Sequence, residues 1–246
     1  MNGTTALPAS HKPTIVLVHG AFADSSSWNG VIEDLRQAGH RVLAPANPLR
    51  GLASDAAYLA SVVKSVEGPV VLAGHSYGGA VISQAAAGEP KIKALVYIAA
   101  FIPEKGESAL ELSNKFPGST LGSALNAVPF PLADGHTGTD LYINPDKFHD
   151  QFAADVPQTV TALMAATQRP IAASALEEGA TDAAWHTVPS WSLVATADNN
   201  IPPASQRFMS ERANAETVEL DASHAVSVSH PHEVARFIQR AAESNH

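Results

Sequence analysis

A serine enclosed by two glycines is the residue of this chain best suited to chemistry. Ser76 stands in the pattern Gly74-x-Ser76-x-Gly78, between an apolar segment (residues 70–73) and a small-residue pattern typical of a helix. A serine at so sharp a strand-to-helix turn has a strained backbone, and glycines flank it because a Cβ there would collide with neighbouring backbone. In this context the pattern predicts that Ser76 is a nucleophile, with its hydroxyl raised clear of the sheet.

A serine hydroxyl is a weak nucleophile unless a base takes its proton and a third group orients that base. Of the eleven histidines, His224 directly follows the last apolar strand segment, and we predict that it is the base. Asp198 directly follows the preceding strand segment, so its carboxylate is predicted to accept the second imidazole N–H. Asp221 is the rival acid, but it lies three residues before His224 and would be poorly placed to reach the far ring nitrogen.

Two backbone N–H groups must stabilise the oxyanion that forms when a serine attacks an acyl carbon. One is predicted to be the N–H of Tyr77, which follows the nucleophile and opens the helix. The other is predicted to come from the loop after the first strand, with Ala21 as the first choice and Phe22 as the fallback. His19, in the same loop, is expected to hold the loop in place rather than to take part in catalysis.

The elements that must position these residues alternate along the chain. Near-continuous apolar segments typical of buried strands are separated by stripes with helical spacing, such as Trp28, Val31, Ile32 and Leu35. This alternation predicts an α/β fold, with a mostly parallel six-stranded sheet and helices on both faces. The predicted strands are residues 14–18, 40–45, 70–73, 93–101, 191–196 and 217–220.

Residues 103–188 break this alternation. We therefore divide the chain into a core (residues 1–102 and 189–246) and a helical cap insertion (residues 103–188). No strand is predicted in the cap, and its helical patches are residues 108–115, 146–154 and 158–166. An insertion that follows the carboxyl end of a strand lies where an α/β sheet opens its ligand crevice. The apolar side chains of the cap either line the pocket or form a small core of their own.

Aromatic side chains near the predicted nucleophile are candidates for the wall of the substrate pocket. Phe22 lies in the predicted oxyanion loop, and Phe101 ends the fourth predicted strand. Trp28 begins the apolar stripe of the first helix, so it fits either the pocket wall or the core. We predict that Phe22, Trp28 and Phe101 bind the substrate.

The composition narrows the classes of partner. The chain has 246 residues, a formal net charge of −9 and no basic run, which argues against a nucleic-acid partner. It has no cysteine, which excludes disulfides and thiolate metal sites. No apolar run approaches the ~20 residues that span a bilayer, and the polar first twelve residues do not resemble a leader. We expect a cytoplasmic protein that acts on a small molecule, without membrane, metal or cofactor; the oligomeric state is left open.

Four motifs together carry a family resemblance that covers nearly the whole chain apart from the cap. They are His19-Gly20-Ala21-Phe22, Gly74-His75-Ser76-Tyr77-Gly78-Gly79, Asp198-Asn199-Asn200-Ile201-Pro202, and His224 followed by Pro231. The chain resembles the α/β-hydrolase superfamily, in which the nucleophile, the acid and the base follow one another in this order. It is similar to the small members that include plant methyl-ester esterases and hydroxynitrile lyases, which also begin with a His-Gly strand.

The resemblance implies a serine hydrolase that cleaves a small, moderately apolar carboxylic ester through an acyl-enzyme, with no metal or organic cofactor. Lactonase activity would use the same residues and is one alternative. A hydroxynitrile-lyase-like reaction is another, but the relatives with that activity carry a threonine in the oxyanion loop and a lysine from the cap. Here Ala21 and Phe22 occupy the loop, and Lys105, Lys115 and Lys147 cannot be assigned to that role.

A third alternative is a ligand-binding, receptor-like protein with slow turnover. Some relatives act as hormone receptors, and a few of them have lost the catalytic histidine. The intact set of Ser76, Asp198 and His224 argues against a protein that only binds its ligand.

Overall fold

A computed structural model describes residues 12–244 of the chain. The N-terminal segment, for which no leader is expected, lies outside these residues apart from Lys12. In the described range the strands are β1 (Thr14–Val18), β2 (Val42–Leu43), β3 (Val70–His75), β4 (Ile92–Ile98), β5 (Leu125–Pro131), β6 (Thr137–Ile143), β7 (Ile171–Ala172), β8 (Ser190–Ala195) and β9 (Glu216–Leu220). The helices are α1 (Asn29–Gln37), α2 (Leu52–Ser65), α3 (Tyr77–Ala85), α4 (Ala109–Asn114), α5 (Pro145–Phe152), α6 (Gln158–Thr167), α7 (Ala173–Glu177), α8 (Pro203–Arg212), α9 (Val226–Ser229) and α10 (Pro231–Glu243).

Six of the strands form a central sheet in the order β2-β1-β3-β4-β8-β9, and every neighbouring pair runs parallel. The predicted six-stranded parallel sheet is confirmed. The chain passes from β1 to β2 on one side and then returns to β3 on the other side of β1. The carboxyl ends of β1 and β3 therefore flank a topological switch point, which is where open α/β sheets bind their ligands.

Alternating residues of the central strands divide the core between the two faces of the sheet. In β1, Ile15 and Leu17 pack with helices α1 and α10, whereas Val16 and Val18 pack with α2 and α3. The sheet is thus covered by helices on both faces, as the sequence predicts. In residues 12–244, no helix combines the length and the apolar character needed to cross a bilayer.

The segment between β4 and β8 is not the purely helical cap that the sequence predicts. The three predicted helical patches are present as α4, α5 and α6. However, β5 and β6 form an antiparallel hairpin, and β7 adds a third strand beside β6. Strand β5 is mostly exposed and holds Pro129 and Pro131, which a sheet tolerates at an edge. It therefore lacks the buried apolar run by which a strand is predicted.

Helix α3 packs so closely on β1 that its first turn has no room for a side chain at Gly78. A Cβ at that position would overlap the carbonyl group of Val18, whose carbon lies 3.1 Å away. Val18 is fixed in turn, because it pairs with Gly74 in the parallel ladder between β1 and β3. The Cβ position of Gly122, in contrast, has no other atom within 4 Å.

We expect Gly78→Ala to lower the free energy of unfolding by at least about 2 kcal/mol, because the new Cβ must push α3 away from β1. The matched control is Gly122→Ala, which we expect to change this free energy by less than about 0.5 kcal/mol. Urea unfolding followed by circular dichroism measures both values. Equal stabilities of the two variants would contradict the close packing of α3 on β1.

Candidate active site

Ser76 lies at the junction of β3 and α3 with a left-handed backbone (φ 56°, ψ −125°). A residue other than glycine is strained in this region unless its surroundings hold it. The carbonyl of Ser76 accepts hydrogen bonds from the N–H groups of Gly79 and Phe101, at 3.0 and 3.1 Å. The Cβ position of Gly74 lies only 2.5 Å from the carbonyl oxygen of Gly78, so a side chain is excluded there. The structure therefore contains the strained strand-to-helix turn that the sequence predicts.

Asp198 and His224 form a buried pair at the carboxyl edge of the sheet. Nδ1 of His224 lies 2.7 Å from Oδ2 of Asp198, and the two side chains are 1% and 0% exposed. An ionised carboxylate can only accept, so Nδ1 carries the proton. The two residues meet because they follow β8 and β9, which are neighbours in the sheet. The rival acid Asp221 is exposed.

Three further donors fix the carboxylate of Asp198. Its Oδ1 accepts from the N–H groups of Asn200 and Ile201, at 2.7 and 3.0 Å. Its Oδ2 also accepts from the side-chain amide of Gln206, at 2.9 Å. Gln206 lies on α8 and was not predicted, because a single glutamine eight residues after an aspartate gives no sequence signal. The orientation of the acid thus depends on both the loop after β8 and the helix that follows it.

The other nitrogen of His224, Nε2, is buried and has no hydrogen-bond partner among residues 12–244. His75, which precedes Ser76, packs its ring centroid 4.6 Å from that of His224. Nε2–H of His75 donates to the backbone carbonyl of His224 at 2.7 Å. This contact ties the loop of the predicted base to the turn of the predicted nucleophile, with Nε2 of His224 free to accept a proton.

Two buried histidines support the site as neutral rings. Burial lowers the pKa of His75 well below its usual value, and the nearby His224 lowers it further. Burial also lowers the pKa of His19. Nε2 of His19 accepts from the N–H of Asn47 at 3.0 Å, while its Nδ1 donates to the carbonyl of Gly20 at 2.8 Å. Only a neutral ring can do both, and these bonds hold the loop after β1 as the sequence analysis expects.

Gly20 brings the loop after β1 against the turn of the nucleophile. A Cβ at Gly20 would lie 2.7 Å from the Cβ of Ser76 and 3.2 Å from the backbone nitrogen of Tyr77. The absence of a side chain therefore allows this loop to approach the start of α3. The predicted oxyanion donors, Ala21 and Tyr77, line the same cavity as Ser76.

Two contacts restrict which groups can face an oxyanion. The N–H of Phe22, the fallback donor, already donates to the carbonyl of Arg169 in the cap at 2.9 Å. The phenol of Tyr77 donates to the buried carboxylate of Asp55 at 2.8 Å, and burial raises the pKa of both groups. Tyr77 can therefore offer its backbone N–H but not its hydroxyl, and of the two candidates in the loop after β1 the contact of Phe22 favours Ala21.

A largely apolar cavity of about 310 Å³ adjoins Ser76. Of the aromatic residues predicted to bind substrate, Phe22 and Phe101 line this cavity. The cap contributes aliphatic side chains, and a few polar groups complete the wall: Leu121, Leu125, Leu141, Leu176, Ser113, Asn114 and Glu177. Among residues 12–244, no group of three or more His, Asp or Glu side chains is placed to hold a metal ion.

The prediction that Trp28 binds substrate is wrong. Trp28 is fully buried and belongs to the core formed with α1 and α10. Its ring packs edge-on against that of His75, with 6.4 Å between the centroids. The helical stripe that Trp28 shares with Val31 and Leu35 faces the sheet, so the core alternative noted for this residue is the correct one.

The fold agrees with comparisons to known proteins. A family model described as "Alpha/beta hydrolase family" matches residues 15–237. The chain belongs to the alpha/beta hydrolase family. The resemblance predicted from the sequence motifs is confirmed at this level.

Individual relatives are enzymes by name. A carbendazim hydrolyzing esterase from Nocardioides sp. (strain SG-4G) is 40% identical over 113 residues, a match that spans 41% of this chain and 47% of that protein. A pyrethroid hydrolase from Sphingobium wenxiniae is 27% identical over 259 residues, covering 94% of this chain and 88% of that protein. The crystal structure of polyneuridine aldehyde esterase has a TM-score of 0.82 at 20% identity, covering 95% of this chain and 100% of that one, and shows a shared fold. The prediction that the chain is an enzyme of the hydrolase class is confirmed.

We expect Asp198→Asn to lower kcat for an ester substrate by about 10³-fold or more. An amide in this place cannot hold the His224 tautomer that leaves Nε2 free to accept a proton. Asp221→Asn makes the same chemical change on an exposed carboxylate and is expected to leave kcat nearly unchanged. Steady-state kinetics on purified, folded variants measures the effect. A larger loss in Asp221→Asn would show that the acid is wrongly assigned.

The neutral state of buried His75 predicts a loss of stability in weak acid. In the unfolded chain this ring takes up a proton near its usual pKa of 6.5, whereas the lowered pKa keeps it neutral in the folded protein. The unfolded state then binds more protons, so the free energy of unfolding falls as the pH drops below about 6.5. His75→Gln keeps an N–H donor for the carbonyl of His224 but cannot titrate.

This variant is expected to reduce the pH slope of stability by up to about 1.4 kcal/mol per pH unit. Urea unfolding of both proteins between about pH 7.5 and 5.5 measures the difference in slope. The same slope in the variant and the wild type would mean that His75 is protonated in the folded protein.

Proposed function

We propose that the chain is a serine hydrolase that cleaves a small, moderately apolar carboxylic ester, with Ser76 as nucleophile, His224 as base and Asp198 as orienting acid. The observation that carries the proposal is the buried hydrogen bond of 2.7 Å between Asp198 and His224. This pair lies at the sheet edge that also holds the strained turn of Ser76. A serine nucleophile, an imidazole base and an orienting carboxylate together can carry out acyl transfer.

In the proposed reaction, Nε2 of His224 takes the hydroxyl proton of Ser76 while Oγ attacks the carbonyl carbon of the ester. Asp198 stabilises the imidazolium that forms, and the N–H groups of Ala21 and Tyr77 donate to the oxyanion. His224 then gives its proton to the leaving alcohol, and the acyl group stays on Ser76. A water molecule, deprotonated by His224, attacks this acyl-enzyme; the bond from the acyl carbon to Oγ breaks, His224 returns the proton to Oγ of Ser76, and the acid leaves.

The cavity supports a substrate that is small and mostly apolar. Its volume is about 310 Å³, and most of its wall consists of aliphatic and aromatic side chains. Such a wall favours apolar groups by burial, while a few polar groups orient the reacting bond. The names of two relatives, a carbendazim hydrolyzing esterase and a pyrethroid hydrolase, support hydrolysis of the esterase type.

The lysines of the cap argue against lyase chemistry, which would need an ammonium group beside Ser76. Lys105 forms an ion pair at 3.5 Å, and Nζ of Lys147 donates to a backbone carbonyl at 2.7 Å. Nζ of Lys115 lies over the ring of Phe208, 4.8 Å from its centroid. None of the lysines in residues 12–244 lines the cavity, so ester hydrolysis is favoured.

We expect Ser76→Ala and His224→Ala each to lower kcat by ~10³-fold or more while the protein remains folded. The matched controls are Ser61→Ala and His232→Ala, which change an exposed serine and an exposed histidine. Both controls are expected to keep the kcat of the wild type. Turnover of p-nitrophenyl esters of increasing acyl length supplies the measurement.

A fluorophosphonate probe followed by intact-mass spectrometry tests the nucleophile independently of turnover. A single adduct on Ser76 together with sustained ester turnover supports the proposal. An adduct without turnover of any ester would replace it with a receptor-like protein, and turnover of lactones alone would replace it with a lactonase. Near-native activity of Ser76→Ala or His224→Ala would overturn it.

A further inference from the structure

A second cavity, of about 300 Å³, adjoins the site, and the mechanism above does not use it. It lies between the loop after β1 and helix α6 of the cap. Its apolar wall includes Val160, Leu163, Met164 and Val228. Of the residues that the structure describes, Phe22 lines both this cavity and the one beside Ser76, and no other residue is common to the two.

The backbone holds Phe22 at this shared position. Its φ is 63°, in the left-handed region, where a phenylalanine is strained and needs fixed surroundings. Its N–H donates to the carbonyl of Arg169 at 2.9 Å, which connects the loop after β1 to the cap. Only 3% of Phe22 is exposed, although it borders two cavities. The ring is therefore a fixed part of the wall and not a freely moving surface side chain.

We propose that Phe22 determines the chain-length specificity of this site, because its ring is the partition that closes the active-site cavity toward the second cavity. The ligand class concerned is an ester with an unbranched alkyl chain. This inference rests on the proposed function, since the length of the alkyl chain is counted from the carbonyl carbon that Oγ of Ser76 attacks.

The apolar wall beyond the partition gives the proposal its measurable consequence. Each methylene group that leaves water for such a wall favours binding by about fourfold. With Phe22 in place, methylene groups that extend beyond the first cavity do not reach this wall and add nothing to the binding affinity. With the ring removed, the same groups enter the space beside Val160 and Met164. The preference for long over short chains should then rise by at least about tenfold, since two methylenes suffice for that.

The experiment measures the rate at which alkyl fluorophosphonates of increasing chain length label Ser76, together with kcat/KM for the matching p-nitrophenyl esters. In the wild type we expect both rates to fall beyond a limiting length. Phe22→Ala is expected to move that limit to longer chains, with the long-to-short ratio raised at least about tenfold. Phe22→Leu is expected to give an intermediate ratio, and it serves as the test if Phe22→Ala does not fold.

Met164→Trp is the matched control, because Met164 lines the second cavity and not the first. Alone, it is expected to leave the length profile unchanged. Combined with Phe22→Ala, it fills the second cavity and is expected to restore the limit of the wild type. An unchanged ratio in Phe22→Ala and Phe22→Leu would overturn the proposal. A raised ratio that Met164→Trp does not reverse would also overturn it, since the chain would then lie elsewhere.

The labelling rate depends on how the alkyl chain fits the cavity and does not require turnover of an ester. The proposal of ester hydrolysis and the proposal about Phe22 can therefore be contradicted by different results. A wild type that is labelled on Ser76 but cleaves no ester would contradict ester hydrolysis, while the labelling ratios would still decide the role of Phe22. A wild type that cleaves esters but shows no change on substitution of Phe22 would contradict the partition alone. Absence of labelling by any probe would contradict both.

Discussion

The left-handed backbone of Ser76 is held in place by neighbouring backbone segments that pack closely around its turn. Side chains at the points of contact would prevent this close packing. Gly78 places the first turn of α3 against β1, and Gly20 places the loop after β1 against Ser76 itself. The carbonyl of Ser76 is held by two N–H groups, at 3.0 and 3.1 Å. Backbone packing thus positions Ser76, and it also sets the place of the N–H groups that would face an oxyanion. Donors fixed in this way need no reorganisation when charge develops, which is the condition for effective electrostatic stabilisation.

The cap contributes to the same site, because residues in and after α5 bind the loops that carry Asp198 and His224. The side-chain amide of Gln151 donates to Oδ1 of Asn200 at 2.7 Å, two residues after the aspartate of the pair. The carboxylate of Asp155 accepts from the N–H of Ser223 at 3.1 Å, directly before the histidine of the pair. A displacement of α5 would therefore disturb the loop that carries Asp198, and with it the hydrogen bond between Asp198 and His224.

Contacts between residues that follow neighbouring parallel strands can be predicted from the sequence. The contact between Asp198 and His224 could be predicted because each follows a strand, and neighbouring parallel strands end at one edge. The stripe of Trp28 indicates burial but does not say against which surface, so its assignment to the pocket failed. Gln206 holds the acid from a helix, where spacing carries no information about a contact across the loop. The hairpin of β5 and β6 was not predicted, because its exposed, proline-containing edge strand lacks the apolar run of a core strand.

Trp28 nevertheless contacts the proposed active site through His75. The rings of Trp28 and Phe152 pack edge-on against that of His75, at 6.4 and 6.2 Å between centroids, and the burial to which they contribute lowers its pKa. A charged His75, 4.6 Å from the ring of His224, would oppose the imidazolium that the proposed mechanism forms on His224. At an effective dielectric constant of about 20 that repulsion amounts to roughly 3–4 kcal/mol, a rate penalty of several hundredfold. Because apolar surroundings keep His75 neutral, it can position the backbone of His224 through its N–H without placing a second positive charge beside that ring.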